Sequence, residues 1–107
     1  MANTDALLVL VTVPNEETAT KLAEALVGEQ LAACVNVLDG VRSIYRWKGA
    51  VERDDEILCL CKTTRAGFEK LRARVVELHP YEVPEVVALP IELGHTPYLA
   101  WLTASVG

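Results

Sequence analysis

The sequence predicts one α+β domain. A single antiparallel sheet carries two helices on one face, in the order β-α-β-β-α-β, and a short C-terminal helix follows. Three observations carry this reading. The chain has 107 residues, the size of one domain. Apolar runs of strand length alternate with stretches whose apolar residues recur at helical spacing. No Gly-, Ser- or Pro-rich linker and no internal repeat divides residues 1–107.

Ala6–Val13 is a continuous apolar and β-branched run, the pattern of a strand buried on both faces. Pro14-Asn15 stops it, and Asn15 caps a helix whose first turn holds Glu16 and Glu17, where the helix dipole favours acids. Ala19, Leu22, Ala23, Leu26 and Val27 form the apolar stripe of that helix, and Gly28 lies near its end. Residues 32–38 are a second strand. Asp39-Gly40 signals a turn or bulge, after which residues 41–47 alternate with Val41, Ser43, Tyr45 and Trp47 on one face. The two pieces read as one long kinked strand ending at a Lys48-Gly49 turn. Residues 56–63 are a third strand, apolar on both faces from Ile57 to Cys61. Thr64 caps a second helix with Phe68, Leu71, Val75 and Leu78 inward, ended by His79-Pro80. Residues 85–91 are a fourth strand, and Pro90 places it at a sheet edge because proline cannot donate to a ladder. Thr96 caps a last helix with Pro97 at its first position, carrying Tyr98, Leu99, Trp101, Leu102 and Val106.

This order is the ferredoxin-like pattern, in which the first and third strands are central. Their second face would meet water, and such strands should alternate apolar with polar. Ala6–Val13 and residues 57–61 do not. The composition agrees: 51% of residues are hydrophobic, and mean hydropathy is +0.24, an apolar surplus for a domain with so much surface. The simplest cover for the open face is another copy of the chain. Tyr45, Trp47, Tyr98 and Trp101 are the candidate interface aromatics.

Charge excludes several functions. Fifteen acids against ten bases give a net charge of −5, with no basic footprint for nucleic acid. No apolar run approaches the roughly 20 residues of a membrane span. The N-terminus lacks the features of a signal peptide. With three cysteines, Cys34, Cys59 and Cys61, it implies reduced thiols in the cytoplasm. There is no glycine-rich phosphate loop, and Ser43 and Ser105 lack a nucleophile-elbow context. The central strands lack the stacking aromatics of an RNA-recognition module. The acidic loop after the first strand would repel the phosphate of an acylphosphatase-like substrate.

The densest polar cluster is His79-Pro80-Tyr81-Glu82-Val83-Pro84-Glu85. His79 has the chemistry of a metal ligand or proton carrier, with Tyr81, Glu82 and Glu85 beside it. The same residues also fit a helix C-cap and a rigid two-proline turn. Lys62, at a strand end, suits an anion or a partner such as Glu56 or Glu85. Cys59 and Cys61 share a strand face and read as buried apolar thiols, with soft copper binding as the sharper alternative.

Leu31-Ala32-Ala33-Cys34-Val35-Asn36-Val37, Ser43-Ile44-Tyr45-Arg46-Trp47-Lys48-Gly49, Lys62-Thr63-Thr64, the His79–Glu85 cluster and Tyr98-Leu99-Ala100-Trp101-Leu102 together resemble the CutA divalent-cation-tolerance proteins. The resemblance spans nearly the whole chain. It implies a ferredoxin-like homotrimer related in architecture to the PII signalling proteins, tolerance to copper and other divalent metals, and no catalysed reaction. Some family members have candidate copper ligands in a cysteine near the end of the first strand and two histidines before the Pro-Tyr. This chain has Val11 and Leu78-His79 there, so only His79 remains. The expected ligand site is an intersubunit cleft near Trp47, Glu56, Lys62, His79, Tyr81 and Glu85. It would hold copper or another divalent ion, with Glu82, Glu85 or a neighbouring subunit completing the ligands. The alternative is a PII-like sensor in which Lys62, Arg46 and Lys48 hold a small anionic ligand. A third reading is a structural trimer presenting a surface to a partner.

Overall fold

The computed structural model describes residues 4–107. The part of the export-signal reading that rests on Met1, Ala2 and Asn3 lies outside the described residues. Seven elements follow in order: β1 (Ala6–Val13), α1 (Glu16–Gly28), β2 (Cys34–Trp47), β3 (Ala50–Thr64), α2 (Arg65–Leu78), β4 (Val87–Pro90) and α3 (Thr96–Ala104). The strands form one sheet in the order β2-β3-β1-β4, antiparallel throughout. This is the ferredoxin-like arrangement, with β1 and β3 central and β4 at an edge.

Strand alternation divides the sheet into two faces. On one, Leu7, Val9, Val11 and Val13 of β1 and Cys59 and Cys61 of β3 pack against Ala19, Leu22 and Leu26 of α1 and Leu71 and Val75 of α2. This is the main core, and both helices lie on it. The caps are as the sequence predicts: Asn15 Oδ1 accepts from the Thr18 N–H at 2.8 Å, and Thr64 Oγ1 accepts from the Gly67 N–H at 3.1 Å. The left-handed residue after α1 is Gln30 (φ 61°) rather than Gly28, because the helix runs through the glycine before the chain reverses.

The other face carries a ladder of aliphatic pairs. Leu10 faces Leu60 on one side and Val87 on the other; Leu8 faces Lys62 and Leu89; Leu38 faces Leu58. The helix α3 covers only one end, where Leu102 is buried with Ala6 and Ala33. Elsewhere this face is open, and Leu89 is 52% exposed.

The β2–β3 hairpin is longer than the rest of the sheet. β1 pairs with β3 only from Ile57 to Thr64, so residues 41–56 form a two-stranded arm. This elongates the molecule to 46 × 25 × 23 Å. The expected kink is a β-bulge between Leu38 and Val41, with Gly40 at φ 79°. At the arm's tip Lys48 (φ 49°) and Gly49 (φ 82°) both take left-handed backbone, as the tight primed hairpin turns require.

Several boundaries differ from the sequence reading. β2 begins at Cys34, not residue 32. β3 begins at Ala50, not residue 56, because the polar Glu52-Arg53-Asp54-Asp55 run continues the exposed arm instead of forming a loop. β4 is limited to Val87–Pro90. Thr96 is the first residue of α3, and His95 occupies the cap position without a side-chain bond. Val106 lies past α3 but packs on the cluster around Leu102.

Burial pushes the Cys59 thiol up and the Cys61 thiol from 9.0 to about 12, with smaller contributions from Cys59 and Cys34. A raised thiol pKa adds stability that is complete below the unfolded value and is lost as pH rises from about 9 towards 12. At pH 8, titration with a thiol-specific chromogenic reagent should therefore detect at most one reactive thiol, Cys34, in the folded protein. Three should react after unfolding. Rapid native reaction of two or three would contradict this core.

Candidate functional site

Where the arm leaves the sheet, an open groove of about 680 Å³ runs beside the turn that follows α2. Its walls include Thr12 of β1, Ser43, Tyr45 and Trp47 of β2, Glu56 of β3, and Tyr81, Glu82 and Glu85 of the turn. The alternation of residues 41–47 brings Ser43, Tyr45 and Trp47 to this side together. Rigid prolines at 80 and 84 frame the turn, their fixed φ narrowing its freedom.

Glu56 anchors the groove. It is only 8% exposed, and its Oε2 accepts a 2.8 Å hydrogen bond from the Tyr81 hydroxyl. Burial, then this bond, then the charge of Glu56 raise the Tyr81 phenol well above its ordinary value. A second phenol–carboxylate pair lies on the arm, where Tyr45 donates to Asp54 Oδ2. Its phenol is pushed up to about 12, first by that bond. The groove's ionisable lining is thus carboxyl and phenol, with no lysine or arginine.

His79 is 7% exposed and sits just behind the groove. Its Nδ1 accepts from the Tyr81 N–H at 3.1 Å, so Nδ1 carries no proton. Its Nε2, 2.7 Å from the Thr12 carbonyl oxygen, is then the donor. Both ring nitrogens are thereby committed to backbone groups, and the ring lies 4.6 Å from that of Tyr81. His79 positions the Tyr81 segment; a metal would need one of these bonds to break. Val11 is wholly buried and Leu78 packs against the same core, so neither family position offers a donor atom. Among the described residues, no three His, Cys, Asp or Glu side chains converge as a ready metal cage.

Glu56, Tyr81, Glu85 and Trp47 are brought together around one groove, with His79 behind it. Lys62 is not among them. It lies six residues from Glu56 along β3, about 20 Å at strand spacing, with its Nζ 5.6 Å from the centre of the Tyr98 ring. The expected pairing of Lys62 with Glu56 or Glu85 does not form within the chain; the ion pairs among the described residues are Arg72–Glu69, Arg74–Glu29 and Arg74–Glu77. Tyr98 and Trp101, 5.4 Å apart, are exposed on α3, away from the groove. The sequence reading missed Asp54, which the extension of β3 aligns diagonally with Tyr45. It also missed the Thr12 carbonyl, a backbone group with no sequence signal.

Fold and groove together define a ferredoxin-like domain with an acidic, aromatic-walled recess beside a projecting hairpin. A family model described as "CutA1 divalent ion tolerance protein" matches residues 7–105. A divalent-cation tolerance protein CutA from Thermus thermophilus is 57% identical over 100 residues, 94% of this chain and 97% of that protein. A solved CutA1 structure from the same species superimposes with a TM-score of 0.94 at 56% identity, covering 95% of this chain and 99% of the other. Protein CutA, chloroplastic, of Arabidopsis thaliana is 48% identical over 94% of this chain, which spans only 55% of that longer protein. The chain belongs to the CutA1 divalent ion tolerance family.

Removing the Tyr81 hydroxyl leaves a nearly buried carboxyl without its donor. Tyr81→Phe should lower stability by about 1–3 kcal/mol, read as a reduced urea midpoint with an unchanged slope. In a double-mutant cycle with Glu56→Gln the two effects should be coupled. Additive effects would show that the bond contributes nothing.

Proposed function

We propose that this chain is a non-catalytic, cytoplasmic homotrimer serving divalent-metal tolerance, and that the groove at Glu56 and Tyr81 is its cation-binding cleft. The observation that carries the reading is the lining of the groove, which holds Glu56, Glu82 and Glu85 and no base. Such a wall attracts cations and repels anions. The carboxylates suit copper(II) or another divalent ion, completed by water or by groups of a neighbouring subunit. The PII-like alternative, an anionic ligand on Lys62, Arg46 and Lys48, gains no support from this wall. The buried Cys59 and Cys61 are remote from soft-metal chemistry, since both belong to the main core.

The trimer reading rests on the open sheet face and the arm. Leu89, Val87, Leu38 and Ile44 are exposed in the single chain, and a partner surface is what such residues require. Tyr45, Trp47, Tyr98 and Trp101 are exposed as well, and we assign them to the contacts between copies. Among the described residues no helix is long and apolar enough to cross a membrane.

Two measurements test the reading. Sedimentation at micromolar concentration should give three times the chain mass of 11.7 kDa; a stable monomer would contradict it. Calorimetric titration with copper(II) should show binding weakened about tenfold by the pair Glu56→Gln and Glu85→Gln. Equal affinities would remove the groove from the metal site, and a loss confined to His79→Ala would return the site to the histidine.

A further inference from the structure

The sheet face that the helices leave open carries a base at one end and a buried acid at the other. Cys59 and Cys61 point into the helical core, so β3 sends Glu56, Leu58, Leu60 and Lys62 to the open side. Lys62 is half-buried. Among the described strand residues it is the one lysine or arginine on this side, since Arg42, Arg46 and Arg53 alternate to the other. Neither Lys62 nor Glu56 takes part in the ion pairs among the described residues. Lys62 meets the Tyr98 ring, and Glu56 has one neutral donor, Tyr81.

Copies that cover this face exclude water from both charges. A charge buried without a counter-charge is costly, so each needs one from another copy. Symmetry decides which. A closed ring of identical copies uses head-to-tail contacts, so one end of the face meets the opposite end of the next copy. The Lys62 end carries Tyr98 and Trp101 on α3, and the Glu56 end carries Tyr45 and Trp47. The ring therefore joins the two aromatic sets at one corner, with a base on one side and an acid on the other.

The dimensions agree. Lys62 and Glu56 are about 20 Å apart at strand spacing. A threefold ring closed through these ends is a triangle with sides of about 20 Å, whose midpoints stand about 6 Å from the axis. Sheets packed face to face leave about 5 Å between each backbone and the plane midway. The triangle thus gives Leu8, Leu10, Leu58 and Leu60 the depth that a packed apolar centre requires.

Resting on the trimer reading, we propose that Lys62 of one copy is the resident counter-ion of Glu56 in the next. The neighbouring ammonium completes the groove, and a divalent ion reaches Glu56 by displacing it. Lys62 thereby sets how tightly the cleft holds a cation, without being a ligand itself.

A double-mutant cycle on the full chain tests the pair, using Glu56→Gln, which keeps an acceptor for Tyr81, and Lys62→Gln. The readout is the urea midpoint of trimer dissociation, followed by sedimentation at one chain concentration. Within a chain the two sites are far enough apart for their effects to add, so non-additivity reports contact between copies. Each single variant should lower the midpoint, and the double variant should lie no lower than the weaker single one. Additive shifts in a protein that still sediments as a trimer would overturn the ion pair and leave the trimer standing. A wild-type monomer would overturn both. Calorimetry with manganese(II) chloride reads the second half of the proposal. Lys62→Gln should bind the ion severalfold more tightly, and the gain should vanish when Glu56→Gln is added. Unchanged or weaker binding in Lys62→Gln would overturn the competing role of the lysine.

Discussion

Everything in this molecule depends on a sheet with two apolar faces and helices for only one. β1 sends Leu7, Val9, Val11 and Val13 into the helical core. It sends Leu8 and Leu10 to the opposite side, against Leu60, Val87 and Leu89. Each buried aliphatic side chain on the helical side contributes roughly 1.5–3 kcal/mol. The same side chains on the open side contribute little until something covers them. The α3 helix seals one end with Leu102, and its nine residues, about 14 Å at helical rise, are too short to seal the rest.

The groove is a consequence of the same imbalance. Because β1 pairs with β3 only from Ile57 onward, the hairpin overshoots the sheet. The turn after α2 fills the corner so formed. Glu56 sits at that junction: it is the residue of β3 just outside the β1 pairing, opposite Val41. It is buried by the turn rather than by the core, and this is why a carboxylate is tolerated there with one phenol donor. His79 holds the turn through two backbone bonds, so its ring fixes the corner's shape from behind.

Much of the fold was legible because its signals are local. The Asn15 and Thr64 caps, the apolar stripes of α1 and α2, the Asp39-Gly40 bulge and the Lys48-Gly49 turn each depend on a few adjacent residues. The failure to alternate in β1 and β3 located the open face without any tertiary information. The start of β3 was not legible, because Glu52 to Asp55 are polar on both faces and only the hairpin's hydrogen bonds make them a strand. The site was half legible. Tyr81 and Glu56 have no sequence relation, and only the packing of the turn joins them. Lys62 lies apart from the groove within the chain, at the Tyr98 ring, because a strand-end position says nothing about which end of the sheet it occupies. His79 carries the chemistry of a ligand in its side chain, while its role here is set by a backbone carbonyl 67 positions away.

One residue decides the chemistry of the groove from a distance. Side chains alternate with a period of two, so a shift of one residue reverses every face. Leu38 lies opposite Leu58 on the open face, and Val41 lies opposite Glu56 on that same face. Two residues of β2 thus span one of β3, the extra residue of the bulge. An uninterrupted β2 would have turned Arg42, Ile44 and Arg46 towards Glu56. The bulge turns Ser43, Tyr45 and Trp47 there instead. The register therefore replaces two guanidinium groups with two aromatic rings beside a buried carboxylate, and converts a neutralised surface into an acidic, ring-walled one. Gly40, at φ 79°, supplies the left-handed backbone that such a bulge uses and that a side chain would strain. The sign of the groove's charge is set by a glycine that does not line it.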